Sequence, residues 1–347
     1  MKTTTEIFDK KYLLIIHGNN HEFSLQEFKS LYYTYFPDQH YSLKKIQNSL
    51  YELHTSFELP DSTHSFFTRM TLIRGVYSYI AHATDFDSIL EELNLRTYNY
   101  EESFAVDQIS IKTKANIENA TLAYPIGRQL SHLRVDLKSP YHLFYYIFIP
   151  NCVYLVEAVF ENKKTYLTRM PVKRAVNKPY TLKADMARAC INLLSVKEHD
   201  VVLDPFCGIG GILLEGLDMN LEMIGNDINT SDLEHTKTNC KHFNLNVPVL
   251  YDVDSKEQFL EDDSVDGIVS DIPYGRSSRR LGVELYEDFV QSAQKMLKPN
   301  KKMVIIYGCF TNFKPIALKY FEEEVEIEQY MNSSLTRYIL VLKNSRK

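Results

Sequence analysis

Apolar and polar positions follow two different rhythms along this chain, and the change of rhythm marks its organisation. Tyr12 to His17 is an apolar run of strand length. Ser24-Leu25-Gln26-Glu27 forms a Ser-x-x-Glu capping box, which predicts a helix opening there and running to about Phe36. Apolar alternation returns at Phe104, Val106, Ile109 and Ile111, a helix is expected around Ile126 to Leu133, and Leu143 to Phe160 follows as the most apolar stretch. It is long enough to span a bilayer, but Pro150, Asn151 and Glu157 interrupt it and aromatic and β-branched residues dominate it. Two buried strands joined at Pro150-Asn151 are therefore predicted. Pro171 and Pro179, with basic residues between them, read as a linker.

From Ala184 the rhythm becomes regular. A helix over 184–195 precedes a strand at Val201-Val202-Leu203, a helix over 211–219, a strand over 222–226, a helix over 231–243 and strands over 247–251 and 266–270. A helix over 284–297 and a strand over 303–307 follow, and segments around Val325 to Gln329 and Arg337 to Leu342 are expected to close the sheet as an antiparallel pair. Strands separated by helices imply right-handed crossovers, so the fold class is α/β with a mostly parallel sheet covered on both faces. No internal repeat is present.

Composition narrows the class. Of 347 residues, 44% are hydrophobic and 24% charged, which excludes low-complexity and collagen-like chains. The five Cys contain no Cys-x-x-Cys pair, and the eleven His show no His-Glu-x-x-His spacing, so neither a disulfide framework nor a metal is expected. The polar start, Met1 to Lys11, carries no secretory pattern, and a cytoplasmic protein without a membrane segment is expected. The net charge of -6 hides an asymmetry: residues 1–107 carry -6, 108–180 carry +7 and 181–347 carry -7. A basic block with interleaved Tyr and Phe is an electrostatic footprint for a polyanion, or else a solvated face whose acids lie elsewhere.

The candidate chemistry sits in the last part. Asp204-Pro205-Phe206-Cys207-Gly208-Ile209-Gly210-Gly211 follows a strand and opens a helix, where Gly208, Gly210 and Gly211 let the backbone turn tightly and approach a ligand. Asp227 ends the next strand, placed to accept from ribose hydroxyls. The dinucleotide pattern Gly-x-Gly-x-x-Gly fails because Leu213 stands at its last position, and Asp204 would repel a pyrophosphate. S-adenosylmethionine, which has an ammonium, a sulfonium and an adenosine ribose, fits both acids. Asp252, after the third strand, is then placed to accept from the adenine amino group, with Phe206 and Cys207 completing the loop. Taken singly, Asp204 is also a plausible helix-entry cap, Asp252 a turn acid and Cys207 a small buried side chain.

Ser270-Asp271-Ile272-Pro273-Tyr274-Gly275-Arg276-Ser277-Ser278 follows another apolar strand, at the carboxyl edge where open α/β sheets hold ligands. In isolation Asp271-Ile272-Pro273-Tyr274 is an ordinary turn. Together with the glycine loop it resembles the THUMP-containing tRNA guanosine N2-methyltransferases, specifically those acting on guanosine 10, with the archaeal form matching best in length. Lys178-Pro179-Tyr180 and Ala187 to Leu193 resemble the family's segment before the first strand, which more usually has Arg-Pro. The resemblance is strong over 165–310 and weaker over the first 160 residues.

It implies that Asp271 and the Ile272 carbonyl accept the hydrogens of the guanine amino group, within an Asp271-Ile272-Pro273-Tyr274 catalytic tetrapeptide whose Tyr274 stacks on the base. Arg276, Arg279 and Arg280 would hold flanking phosphates, and Lys173 and Arg174 lie in the basic linker as further RNA contacts. The implied domains are a small ferredoxin-like α/β domain (1–60), a THUMP-type RNA-binding domain (61–164), a linker (165–183) and a Rossmann-like methyltransferase domain (184–347). The implied product is N2-dimethylguanosine in tRNA, made by a monomer, with a small activator subunit as in eukaryotic relatives left open. Two other readings stand beside it: a THUMP methyltransferase for another tRNA or rRNA guanosine, and a non-catalytic RNA-binding protein that retains the fold.

Overall fold

The computed structural model describes residues 8–17, 20–91, 102–114, 117–179, 181–273, 283–332 and 335–346. The chain forms two compact units, one of residues 1–21, 38–68 and 73–162, the other of 22–37, 69–72 and 163–347. Among the described residues no helix is long and apolar enough to cross a membrane.

The first unit is built on one eight-stranded sheet. In chain order the elements up to residue 161 are β1 (Lys10–Ile16), α1 (His21–Tyr35), β2 (Tyr41–Gln47), β3 (Leu50–Thr55), α2 (Ser65–Thr68), β4 (Ile73–Ala83), α3 (Phe86–Glu91), β5 (Ser103–Ser110), α4 (Asn119–Gln129), β6 (Arg134–Val135), β7 (His142–Ile149) and β8 (Cys152–Glu161). The strand order is β2-β3-β1-β4-β8-β7-β5-β6, so stretches 1–60 and 61–164 contribute to a single hydrogen-bonded layer. β7 explains the most apolar stretch of the sequence. Phe144, Tyr146 and Phe148 enter one core and Tyr145 and Ile147 the core on the opposite face, so the strand is buried on both sides. Ile149 pairs with Cys152 across the two-residue turn Pro150-Asn151, where Asn151 takes a φ of 61° that asparagine tolerates.

Two helices depart from the sequence expectation. α4 spans Asn119–Gln129 with Pro125 in its interior, shifted toward the amino end from the expected 126–133, because Leu122 and Ile126 form the buried face. α1 begins at His21, three residues before the expected cap, and Ser24 and Glu27 are buried within it. The Glu27 carboxylate accepts from the Thr71 and Leu72 amides at 3.0 and 2.7 Å and from Asn192 Nδ2 at 2.8 Å. A long-range use of the glutamate has displaced the local capping box.

The second unit carries the α/β pattern. After two 3₁₀ turns (Thr165–Arg169 and Pro171–Lys173) come α5 (Ala184–Leu193), β9 (Val201–Asp204), α6 (Gly211–Asp218), β10 (Glu222–Asn226), α7 (Thr230–His242), β11 (Val249–Tyr251), β12 (Val265–Asp271), α8 (Val283–Met296), β13 (Leu297–Gly308), α9 (Lys314–Ala317), β14 (Glu322–Asn332) and β15 (Leu335–Lys343). The strand order is β11-β10-β9-β12-β13-β15-β14, with β15 antiparallel to both neighbours and the first five strands parallel. This is a Rossmann-like, mostly parallel sheet. One core lies under α5, α6 and α7 with Phe23 of α1, and the other under α8 and α9. The chain reverses its direction of progress between β9 and β12, which pair at the centre, so their carboxyl ends flank the crevice where such sheets hold ligands.

A buried ionic cluster fixes α6 beneath that crevice. Arg169 donates to both Glu215 oxygens at 2.9 and 2.8 Å and to Asp218 at 2.6 Å, and Arg188 reaches Asp218 at 2.8 Å. Glu27 plays the corresponding part for α1, which leads to a stability test. Glu27→Ala should leave two amides and Asn192 without their acceptor and cost about 3 kcal/mol, read as a lowered urea midpoint at unchanged slope. A loss below about 1 kcal/mol would show that water replaces the carboxylate.

Candidate active site

The loop after β9 takes its shape from its glycines. Gly208 and Gly210 have φ of 51° and 85°, values that L side chains rarely adopt. A Cβ on Gly210 would also stand 2.9 Å from the Thr236 side chain. Around the loop, polar groups of neighbouring elements hold its backbone. Thr236 Oγ1 donates to the Gly208 carbonyl at 2.9 Å, Asn239 Nδ2 to the Ile209 carbonyl at 3.1 Å, and the Cys207 amide to the Asn226 carbonyl at 2.9 Å. Asn226 itself, buried at the end of β10, donates to the carbonyls of Pro205 and Val253 and accepts from the Val253 amide.

A cleft of about 210 Å³ opens at this loop and brings together Asp204, Phe206, Cys207, Gly208, Gly211 and Asp271, with Lys178, Thr181 and Asp232 also in its wall. Asp204 ends β9 and is 1% exposed. Its Oδ1 accepts from Ser270 Oγ at 2.6 Å and from the Phe206 amide at 3.3 Å. Burial pushes its pKa up to about 7, against those two hydrogen bonds and with help from the charges of Asp227 and Asp271. Asp271 ends the adjacent strand, half-buried, and its Oδ1 is buried with no hydrogen-bond partner among the described residues. Burial raises it to about 6, opposed by the Arg337 cation. Two desolvated acids on neighbouring strand ends are suited to a ligand that brings positive charge and hydrogen-bond donors.

Asp227 adjoins the cleft through the loop: its Oδ2 accepts from the Gly208 amide at 2.8 Å and its Oδ1 from the Asn229 amide at 2.9 Å. Burial raises its pKa in spite of both amides. Cys207 is buried and its thiol is pushed strongly up by burial, the state of an inert packing residue. Asp252 lies just beyond β11, exposed and outside the cleft wall. Gly210 shapes the loop from behind the wall. Ile272 is buried in the core under α8, its amide donating to the Ile306 carbonyl, and the Pro273 carbonyl accepts from Tyr286 Oη at 2.8 Å. Tyr274, Arg276, Arg279 and Arg280 lie outside the described residues.

The linker cations separate. Lys173 is exposed, whereas Arg174, expected at an RNA surface, is 6% exposed. Its Nε donates to the Arg169 carbonyl and its Nη2 to the Leu182 carbonyl, and burial brings its pKa down to about 10. Two carbonyls of the folded-back linker have drawn it inward, which corrects the surface assignment. Lys178, by contrast, reaches Asp232 at the cleft wall. Sequence reasoning missed Ser270, Asn226, Thr236 and Asn239, of which Asn226 and Ser270 adjoin residues already singled out, Asp227 and Asp271.

Comparison with known proteins gives four likenesses. Residues 171–339 match the family model UPF0020 (RMKL-like, methyltransferase domain). The chain is 31% identical over 278 residues to the tRNA (guanine(10)-N2)-dimethyltransferase of Methanothermobacter thermautotrophicus, covering 78% of this chain and 81% of that protein. It is 29% identical over 225 residues to the tRNA (guanine(10)-N2)-dimethyltransferase of Methanocaldococcus jannaschii, covering 61% of each chain. The crystal structure of TrmN from Thermus thermophilus shares the fold with a TM-score of 0.52 at 17% identity, over 96% of this chain and 99% of that one.

The raised carboxyls make stability depend on pH. A folded-state pKa above the unfolded value means that the fold prefers the protonated acid, so stability is full below the unfolded pKa of about 4 and is lost as pH rises through the folded value. Asp204→Asn should therefore raise the melting temperature of the ligand-free protein above pH about 7 and give no gain below about 4. Parallel melting curves for the two proteins across that range would contradict the assignment.

Proposed function

This chain belongs to the family of tRNA (guanine(10)-N2)-dimethyltransferases, and on that premise we propose how its own residues carry out the reaction. It is an S-adenosylmethionine-dependent methyltransferase that modifies the exocyclic N2 of guanosine in tRNA. The finer reading is that the target is guanosine 10 and that two methyl groups are added.

The cofactor fits the cleft by two observations: a glycine loop in which a Cβ at Gly210 would collide, and two desolvated acids in the cleft wall, Asp204 and Asp271. Bound S-adenosylmethionine supplies an electrophilic methyl on a sulfonium. The Asp204 carboxylate is suited to its positive charge, Asp227 to the ribose hydroxyls, and the amides and carbonyls of 206–211 to close approach. Asp252, exposed after β11, is suited to the adenine amino group from the solvent side.

The observation that carries the catalytic reading is Asp271, whose buried Oδ1 has no partner among the described residues and whose strand end forms the wall of the same cleft as Asp204. Guanine N2 is a poor nucleophile because its lone pair is delocalised into the ring. An acceptor that holds its hydrogens and meets the positive charge growing on nitrogen lowers the barrier. Asp271 accepts from the amino group and the Ile272 carbonyl takes the second hydrogen, with Pro273 fixing the chain direction and Tyr274 stacking on the base. Displacement of the methyl leaves a proton on N2, and Asp271, held near pKa 6, is the adjacent base that can take it. A base inside a stack cannot enter such a cleft, so the guanosine is extruded, with Arg276, Arg279 and Arg280 on flanking phosphates and Lys173 as an outlying contact.

The unit built on β1–β8 is assigned to tRNA binding, as a THUMP-type module (61–164) with a small α/β part (1–60). Support comes from the exposed cations Lys112, Lys114, Arg128, Arg134 and Lys138 with the exposed Tyr124 and Tyr141 among them; the rest of the basic block, from Lys163 on, belongs to the second unit, where Arg169 and Arg174 are buried. A monomer in the cytoplasm is the simplest assignment, with an activator subunit to be tested by activity of the purified chain alone.

Nucleoside mass spectrometry of tRNA treated with the protein and S-adenosylmethionine tests the function: N2-dimethylguanosine, mapped to position 10, is expected. A product at another guanosine would select the rival methyltransferase reading, and no product the non-catalytic one. In single turnover at saturating substrates, Asp271→Ala should lower the rate by about a hundredfold or more and Asp271→Asn by less; a wild-type rate in Asp271→Ala would move the site elsewhere. Asp227→Ala should weaken cofactor binding by about ten- to a hundredfold in calorimetric titration, and unchanged affinity in a folded variant would remove Asp227 from the site.

A further inference from the structure

The sheet face that α5 covers is apolar until it reaches the carboxyl edge, where it ends on polar side chains. Register places them. Asp271 pairs with Ile306, Ile306 with Ile339 and Ile339 with Ile327; two positions nearer the edge, Gly308 pairs with Arg337 and Arg337 with Gln329. Residues two apart on a strand share a face, so Asp271, Arg337 and Gln329 stand on the face whose core contains Ile306, Ile339 and Ile327. Gly308, on the strand between Asp271 and Arg337, has no side chain to separate them.

Arg337 is 8% exposed. Gln329 Nε2 donates to Met186 Sδ of α5 at 3.1 Å, and Gln329 Oε1 is buried without a hydrogen-bond partner among the described residues. Among the described residues, the groups facing Asp271 are Asp204 on β9, the buried Cys190 on α5 and Arg337 on β15. Of these, Arg337 is the cation, and its charge opposes the effect of burial on Asp271.

We propose that Arg337 is a positioning residue for methyl transfer, acting across Gly308 to hold Asp271 as a carboxylate with one oxygen left toward the cleft for the incoming amino group. The inference rests on the catalytic reading of Asp271 and adds a residue outside the cleft wall.

The test is the pH profile of single-turnover methyl transfer in the full-length protein with saturating tRNA and S-adenosylmethionine. The wild-type rate should fall on the acid side near pH 6, where Asp271 takes up a proton. Arg337→Gln should move that limb up by about one pH unit or more, and Arg337→Lys, which keeps the charge, should restore most of it. Gln329→Glu keeps Arg337 but sets an anion beside it at a half-buried position, so it serves if Arg337→Gln fails to fold. It should move the limb in the same direction by about half a unit or more. A folded Arg337→Gln or Gln329→Glu that is slower at every pH with an unmoved limb would overturn the inference, since a purely structural role predicts that result. Loss of rate in Asp271→Ala together with an unmoved limb defeats Arg337 alone; a wild-type rate in Asp271→Ala defeats the reading on which it rests.

Discussion

Holding two carboxylates out of water on adjacent strand ends is the constraint around which the second unit is arranged. Asp204 and Asp271 close β9 and β12, the central pair of the sheet, and burial drives both toward the protonated form. Each desolvated charge costs several kcal/mol unless something compensates it. The protein compensates only in part, with one hydroxyl and one amide on Asp204 and a cation behind Asp271. The remaining deficit is one that a cationic ligand would relieve, so on the proposed reading affinity for such a ligand is a property of the strand ends, set by the order in which the strands pair.

That unfavourable arrangement persists because its surroundings leave little freedom to relax. The glycine loop is held from three sides by Asn226, Thr236 and Asn239, so its amides keep their directions when no ligand is present. Beneath it, Arg169 and Arg188 clamp Glu215 and Asp218 on α6, which fixes the helix that the loop opens. Preorganisation of this kind places the cost of ordering in the folding step, so that binding does not meet it again.

Much of this was legible in the sequence, and the failures have identifiable physics. Most helices and strands after residue 184 were readable because apolar positions recur in them at helix or strand spacing, though the four-residue α9 was not foreseen, and the two site acids because each follows an apolar run and precedes a Pro within two residues. β2, β3 and β4 were not foreseen: β2 has hardly any buried face, and the patterns of β3 and β4 are broken by polar residues and by register shifts. Asn226, Thr236, Asn239 and Ser270 carry no signal because a single small polar residue looks the same in sequence whether it faces solvent or braces a loop. Glu27 and Arg174 misled for a shared reason: each satisfies a local rule, a capping box or a basic cluster, while the fold uses it for buried backbone groups far from that motif.

The second unit is discontinuous, drawing residues 22–37 and 69–72 from the beginning of the chain. Chain synthesis runs in one direction, so Glu27 leaves the ribosome 165 residues before Asn192, its partner. At about 5–20 residues per second this is a wait of roughly ten to thirty seconds, during which Phe23, which shares a core with α5, has no such cover. The nascent protein therefore passes through an obligatory stage with an amphipathic helix exposed, a natural binding site for a ribosome-associated chaperone. For the same reason no single cut divides the chain into its two compact units, since a fragment ending at residue 162 keeps α1 but loses the surface on which it is buried.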